Sequence, residues 1–260
     1  MRIFLHVYTT GYPAPMTTPL PAAARAELTP TGKLRVGLNH SNFLLVNKEP
    51  ANGEPAGVAP DLGRELARRL GVPVAFVSFP RPGPLAEAAK TNVWDVAFLG
   101  AEPERAKEIL FSAAYVEIEA TYLVPAGSPI KSIDEVDRKG VRIAVTDKAA
   151  YDLYLQRHLK HAQLVHAEGI EGAYQLFLKE KLDVLAGLRP RLVDDQAKNP
   201  GSRVLEGRFT AIQQAIGTPV GRNAGAAYLK AFAEEIKDGL AAQLIARHKV
   251  RGLTVAPKAA

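Results

Sequence analysis

Between residues 33 and 188 the chain runs twice through the same succession of strand, helix, strand, helix and strand, and this duplication constrains the fold more than any other feature. In the first copy Leu34, Val36 and Leu38 alternate with Arg35 and Gly37, the period of a half-buried strand. A helix follows, with Pro60 in its first turn, Leu62, Leu66 and Leu70 on one face, and Gly71 and Pro73 closing it. Residues 74–79 read as a β-rich strand and 84–90 as a short helix. Residues 95–99 form an apolar strand of the kind buried on both faces of a parallel sheet. The second copy predicts strands over 141–145, 163–166 and 183–188, with helices over 149–159 and 172–182 between them. Trp94-Asp95-Val96-Ala97-Phe98-Leu99 thus has its counterpart in Leu182-Asp183-Val184-Leu185-Ala186-Gly187.

Two such blocks predict an α/β protein of two parallel-sheet, Rossmann-like lobes joined by a two-stranded hinge. Residues 121–125 and a strand-like stretch over 211–218 supply the two crossings, and a helix from 223 to about 237 returns to the first lobe. A double crossover of this type is a hinge. The 260 residues accordingly divide into a proline-rich, poorly ordered leader over 1–32, a discontinuous first lobe over 33–122 plus 217–260, and a second lobe over 123–216. Ligands of open α/β sheets sit beyond the carboxyl ends of the strands. That rule selects 39–43, 100–105, 146–151 and 187–191, four segments that converge when two lobes face each other.

Composition narrows the chemistry. With 47% hydrophobic and 23% charged residues the chain is a folded globular protein rather than a disordered or fibrous one. The absence of cysteine removes disulfides, thiolate metal sites and cysteine nucleophiles. The net charge of +6 is dispersed. Its densest groups, Arg64, Arg68 and Arg69, and Arg247, Lys249 and Arg251, read as solvated faces, because no aromatic side chains are interleaved to stack on nucleic-acid bases. No apolar run approaches the roughly 18 residues of a membrane span, so neither nucleic acid nor membrane insertion is expected. His158 and His161 are the only histidines at helical spacing and lack a carboxylate on their face, so no metal is expected. No nucleophile elbow, phosphate loop or dinucleotide fingerprint occurs, and no cofactor is expected.

Against this background the chain resembles the type II periplasmic solute-binding proteins of ABC transporters, in particular the family 3 group that carries amino acids and related small polar solutes. The resemblance covers nearly all of residues 32–250. It is carried by Thr31-Gly32-Lys33-Leu34-Arg35-Val36-Gly37, by Gly57-Val58-Ala59-Pro60-Asp61-Leu62 before Leu70-Gly71, and by Trp94-Asp95-Val96-Ala97-Phe98. Its most specific part is Glu104-Arg105 followed by Ile109-Leu110-Phe111-Ser112-Ala113-Ala114-Tyr115, and Lys131-Ser132-Ile133-Asp134-Glu135-Val136 and Gly140-Val141-Arg142-Ile143-Ala144-Val145 complete it. The resemblance implies a non-enzymatic monomer that closes on a small solute and is read by an ABC permease. It also implies that Arg105 binds the ligand carboxylate, a role suited to a permanently charged planar fork. The remaining expected ligand-binding residues are Asn39, Asn42 and Phe43 in the first segment, Gly100 and Ala101 in the second, Thr146, Lys148, Ala149 and Tyr151 in the third, and Arg189 in the fourth; no residue is expected to be catalytic.

Three departures from the family pattern bear on the ligand. The stretch before Arg105, Leu99-Gly100-Ala101-Glu102-Pro103-Glu104, lacks the usual hydroxyls, so backbone N–H groups at Gly100 and Ala101 are expected to substitute. The second lobe has Thr146-Asp147-Lys148-Ala149-Ala150 where the family commonly has Gly-Ser or Gly-Thr before a helix. Leu188 stands where amino-acid carriers place the carboxylate that receives the ligand's ammonium group. The ligand is therefore expected to bear a carboxylate and need not be an α-amino acid. The alternative readings are a dehydratase on the same fold, with Glu102 or Glu104 as proton donor, and a cytosolic small-molecule sensor. The resemblance implies a periplasmic location, but Arg2, the run over 3–8 and Ala22 to Ala24 imitate a signal peptide poorly, and either Met1 or Met16 could begin the chain. A cytoplasmic location therefore stays open.

Overall fold

The computed structural model describes residues 19–48 and 54–258. Among these residues eight α-helices, α1 (Ala22–Leu28), α2 (Val58–Leu70), α3 (Pro82–Glu87), α4 (Ala150–His158), α5 (Gly169–Lys179), α6 (Arg189–Lys198), α7 (Asn223–Ile236) and α8 (Leu240–Arg247), surround the strands. The strands are β1 (Leu34–Asn39), β2 (Asn47–Lys48), β3 (Pro55–Ala56), β4 (Val74–Phe79), β5 (Val96–Gly100), β6 (Ile109–Val124), β7 (Arg142–Thr146), β8 (Gln163–Ala167), β9 (Val184–Leu188), β10 (Arg203–Val204), β11 (Thr210–Pro219) and β12 (Thr254–Val255). The main sheet runs β4-β1-β5-β11-β6-β9-β7-β8. Each half contains three parallel strands in the order second, first, third: β4-β1-β5 and β8-β7-β9.

The duplication read in the sequence has a chemical basis. Asp95, just ahead of β5, accepts a hydrogen bond from the Arg35 backbone N–H at 3.0 Å, and Asp183, just ahead of β9, accepts one from Arg142 N–H at 2.8 Å. In return the Asp95 N–H donates to the Arg35 carbonyl and the Asp183 N–H to the Arg142 carbonyl. Each aspartate therefore pins the start of its half's third strand to the start of the first. Trp94 and Leu182, the residues before them, are both buried.

Both faces of both halves are covered. Val96 and Phe98 pack with α2, α7 and α8, while Ala97 and Leu99 on the opposite face pack with Leu85, Ala89 and Trp94. In the other half Ile143 and Val145 pack with Tyr151 and Leu155 of α4, and Ala144 and Leu185 with Ala173, Tyr174 and Phe177 of α5. α2 shows how its sequence sets its limits. Leu62, Leu66 and Leu70 are buried along one stripe, and Gly71 ends the helix at φ 66°, a left-handed conformation that costs glycine nothing.

The crossings are longer than expected. β6 spans 16 residues. Its first part pairs with the end of β11 (Ile109 opposite Pro219) and its last part with β9 (Ala120 opposite Leu188). β6 and β11 are thus one antiparallel ribbon running from one half into the other, antiparallel to the strands they join. The expected link over 121–125 is only the end of this strand, because Ile109-Leu110-Phe111-Ser112-Ala113-Ala114-Tyr115 has no strand-like alternation to mark where β6 begins.

Part of the expected leader is ordered. Pro21 caps α1, Ala24 and Leu28 are buried against α7, and Glu27 accepts a hydrogen bond from the Gly225 N–H at 2.7 Å. Proline is compatible with a helix N-terminus, so Pro19 and Pro21 mark the start of an element rather than disorder. The alanines that resembled a cleavage site are its first turn. Residues 1–18, with the run over 3–8 and both candidate start methionines, lie outside the described residues. The cluster Arg64, Arg68 and Arg69 is also not simply a solvated face. Arg69 joins Glu65 of α2 to Glu235 of α7 and lies over the Phe232 ring.

Candidate functional site

In a sheet ordered second, first, third, the crevice lies where the first and third strands carry their connections to opposite faces, at their carboxyl ends. Here those ends are Asn39 and Gly100 in one half and Thr146 and Leu188 in the other. All four line one cavity, together with Ser41, Asn42, Pro82, Arg105, Ala149, Ala150, Tyr151, Ile170, Ile212 and Gln214. It offers about 50 Å³ to the centres of water-sized occupants, enough for a few water molecules.

Arg105 sits in a single 3₁₀ turn (Arg105–Lys107) between β5 and β6 and is 6% exposed. Its Nη1 donates to the Gly100 carbonyl at 2.7 Å, and its Nη2 donates across the cleft to the Lys148 carbonyl at 3.0 Å. Among the described residues no carboxylate lies within ion-pairing distance of it. Burial pushes its pKa down to about 10, against a smaller opposing effect of Glu102, and it remains cationic at neutral pH. A desolvated guanidinium with only carbonyl acceptors is an uncompensated charge, and an anion entering the cavity would compensate it.

The second half presents the start of α4. Ala149 caps this helix without a side-chain hydrogen bond, so its first-turn N–H groups have no internal acceptor, and the helix dipole favours negative charge there. Thr146 donates from Oγ1 to the Gly169 carbonyl at 3.3 Å. Burial pushes the Tyr151 phenol up to about 12, against its hydrogen bond with Thr146. Lys148 adopts φ 56°, in the left-handed region that favours glycine. Its N–H donates to Asp152 Oδ2 at 2.8 Å, and its carbonyl faces Arg105. Asp152 also contacts His166 Nε2 at 2.9 Å, and Asp147, Asp152 and His166 form the one group among the described residues close enough to share a cation. Both Asp152 oxygens are already engaged, Oδ2 by the turn before α4 and Oδ1 by His166 of β8.

Three ion pairs join the halves beside the cavity. Arg157 of α4 holds Glu102 at 2.5 Å, Lys148 holds Glu87 at 2.6 Å, and Arg81 meets Glu168. Glu102 is buried and engaged by Arg157, while Glu104 is exposed and paired with Lys107; neither lines the cavity.

Of the residues singled out in the sequence, Asn39, Asn42, Gly100, Arg105, Thr146, Ala149 and Tyr151 meet in the cavity wall. Four do not. Phe43 packs against the second half's core, because the loop after β1 turns Phe43 and Leu44 toward that half and Leu45 and Val46 toward the first. The Ala101 N–H is consumed by the Gln213 carbonyl at 2.8 Å. Lys148 takes part only through its main chain, its ammonium being held by Glu87. Arg189 is drawn away by Glu119 (2.6 Å) and by the Leu205 and Gly207 carbonyls, and lies with Phe43 in a separate groove of about 550 Å³. The wall also holds residues that the sequence did not single out, notably Ile212 and Gln214. They share a face of β11 two residues apart, and only their register opposite Gly100 brings them here.

The sequence profile of the bacterial extracellular solute-binding proteins, family 3, matches residues 34–249. Among solved structures, an amino acid ABC transporter substrate-binding protein from Streptococcus pneumoniae bound to L-arginine is similar at TM-score 0.70 and 20% identity, over 90% of this chain and 99% of that one. The holo ArgBP from T. maritima is similar at TM-score 0.67 and 22% identity, over 86% and 98%. An ancestral amino acid-binding protein, a precursor of cyclohexadienyl dehydratase, is similar at TM-score 0.69 and 24% identity, over 87% and 99%. No curated protein sequence gives a comparable match. Among the described residues no helix is long and apolar enough to cross a membrane.

Proposed function

Because the chain belongs to the bacterial extracellular solute-binding proteins, family 3, we propose that it captures a small carboxylate-bearing solute between two lobes and offers the closed form to the membrane subunits of an ABC transporter. One observation carries this reading: Arg105, buried and without an acidic partner, stands in a cavity walled by both halves of the molecule. In this reading lobe 1 comprises residues 33–122 and 217–260 with α1 added to it, lobe 2 comprises 123–216, and the protein works outside the cytoplasm as a monomer. Arg105 receives the carboxylate and the start of α4 closes over it. The binding energy then shifts an open–closed equilibrium that permease subunits can read.

Isothermal titration with a panel of small carboxylates tests this. Arg105→Ala should weaken binding of any carboxylate ligand by about 1.5–3 kcal/mol, the worth of a charge-assisted contact. Without ligand the same variant should melt no lower than the parent protein, because it removes an uncompensated buried charge. Equal affinity in the variant would remove Arg105 from the site.

A further inference from the structure

The cavity wall holds a second signal besides Arg105. Most of its polar side chains have partners: Asn39 Oδ1 accepts from the Ser41 N–H and hydroxyl, at 3.1 and 2.8 Å, and Thr146 donates to Gly169. Two acceptors do not. Asn42 Oδ1 and Gln214 Oε1 are buried with no hydrogen-bond partner, on residues that are 8% and 5% exposed. An unmet buried acceptor is costly, so such atoms point to a donor that arrives with the ligand. Both belong to neutral amides, and the wall is otherwise Gly100, the Tyr151 phenol, which is hydrogen-bonded to Thr146, and the apolar Pro82, Ala149, Ala150, Ile170, Leu188 and Ile212, with no carboxylate. The nearby acids are committed elsewhere, Glu102 to Arg157, Asp195 to Arg191, and Asp152 to His166 and the Lys148 N–H.

The site therefore carries one positive charge, neutral acceptors and apolar surface. A monoanion brings that total to zero. A zwitterion would leave its ammonium group buried beside a guanidinium with no counter-charge, and a dianion would leave a negative charge uncompensated. We propose that the solute is a compact hydroxycarboxylate monoanion, its carboxylate on Arg105 and its hydroxyl donating to Asn42 Oδ1 or Gln214 Oε1, and that these two amides set the preference for it over the corresponding amino acid. This rests on the carboxylate reading of the same cavity and adds the chemistry of the second contact.

Two matched sets of acids test it, one on a three-carbon skeleton (propionate, lactate, pyruvate, L-alanine) and one on a branched five-carbon skeleton (isovalerate, 2-hydroxyisovalerate, 2-oxoisovalerate, L-valine). Within a set only the group on carbon 2 changes. Calorimetric titration should rank the hydroxy acid first in at least one set, by about tenfold or more over the unsubstituted acid and the amino acid. Gln214→Leu and Asn42→Leu should each reduce the margin of the hydroxy acid over the unsubstituted acid measured on the same variant, with circular dichroism showing that each variant is folded. Gln214→Glu changes almost no volume, and its added negative charge should turn the preference toward the amino acid. An amino acid bound more tightly than its hydroxy analogue, or an oxo acid bound equally well, would overturn the proposal while an Arg105-dependent carboxylate site survived. No Arg105-dependent binding in either set would overturn the carboxylate reading itself.

Discussion

At the scale of single residues, two buried charged side chains show opposite ways of living in a core. Asp95 is fully buried and fully employed. It accepts the Arg35 backbone N–H, that residue's Nε and Nη2 at 2.9 and 2.7 Å, and Arg222 Nη1 at 2.9 Å. The same bonds, with Asp95 first among their causes, raise the Arg35 pKa. Arg105, by contrast, is held only by carbonyls, and its charge is left for something else to balance. The two should answer differently to removal. Asp95→Ala strands two partly buried arginines and a backbone donor, and chemical denaturation should show a loss of about 3–5 kcal/mol. A loss under 1 kcal/mol would mean that solvent replaces those contacts and that Asp95 is not a structural pin.

At the scale of elements, β5 ends where the two halves meet. A Cβ on Gly100 would lie 3.0 Å from both the Ala150 Cβ and the Ile212 Cγ2, and 3.5 Å from Arg105 Nη1. Ala150 opens α4, so this glycine fixes how closely the second half's helix can approach the first half's strand. Gly100→Ala should leave the melting temperature nearly unchanged when the lobes can part, and weaken ligand binding by about 1–3 kcal/mol, the usual cost of overpacking. Calorimetry and a thermal melt run together separate this from a general loss of stability, which would lower both. The requirement was not visible in the sequence. Gly100 sits in an apolar strand where alanine reads equally well, and its close neighbours are 50 and 112 positions away.

For the whole molecule, closure is held by side chains on the cleft rim as well as by any ligand. Two of the three ion pairs beside the cavity are largely exposed and contribute little each. Glu102–Arg157 differs, because the glutamate side chain is only 8% exposed and depends on its partner when the cleft is shut. Arg157→Ala should therefore favour opening, since opening returns Glu102 to water. Small-angle scattering of the ligand-free variant should give a larger radius of gyration than the parent, with saturating ligand closing the gap. Superimposable curves would show that the pair does not hold the lobes together.

The sequence by itself determined the order of strands and helices within the doubled block, with Asp95 and Asp183 at matching places, and the four strand ends where a ligand would lie. These follow from local periodicity and from one topological rule, both of which a linear reading can apply. It also marked Arg105, and it marked Leu188 as an apolar residue where amino-acid carriers place an acid; both lie in the cavity wall. Tertiary structure alone decided which side chains of those segments meet. It turned Phe43 into the second half's core, gave Arg189 to Glu119, employed Lys148 through its carbonyl, and brought Gln214 opposite Gly100 with its acceptor unmet. The reason is physical. Periodicity reports which face of an element is buried, whereas the partners across a cleft depend on the register of strands more than a hundred residues apart and on the angle between two lobes, and no local pattern encodes either.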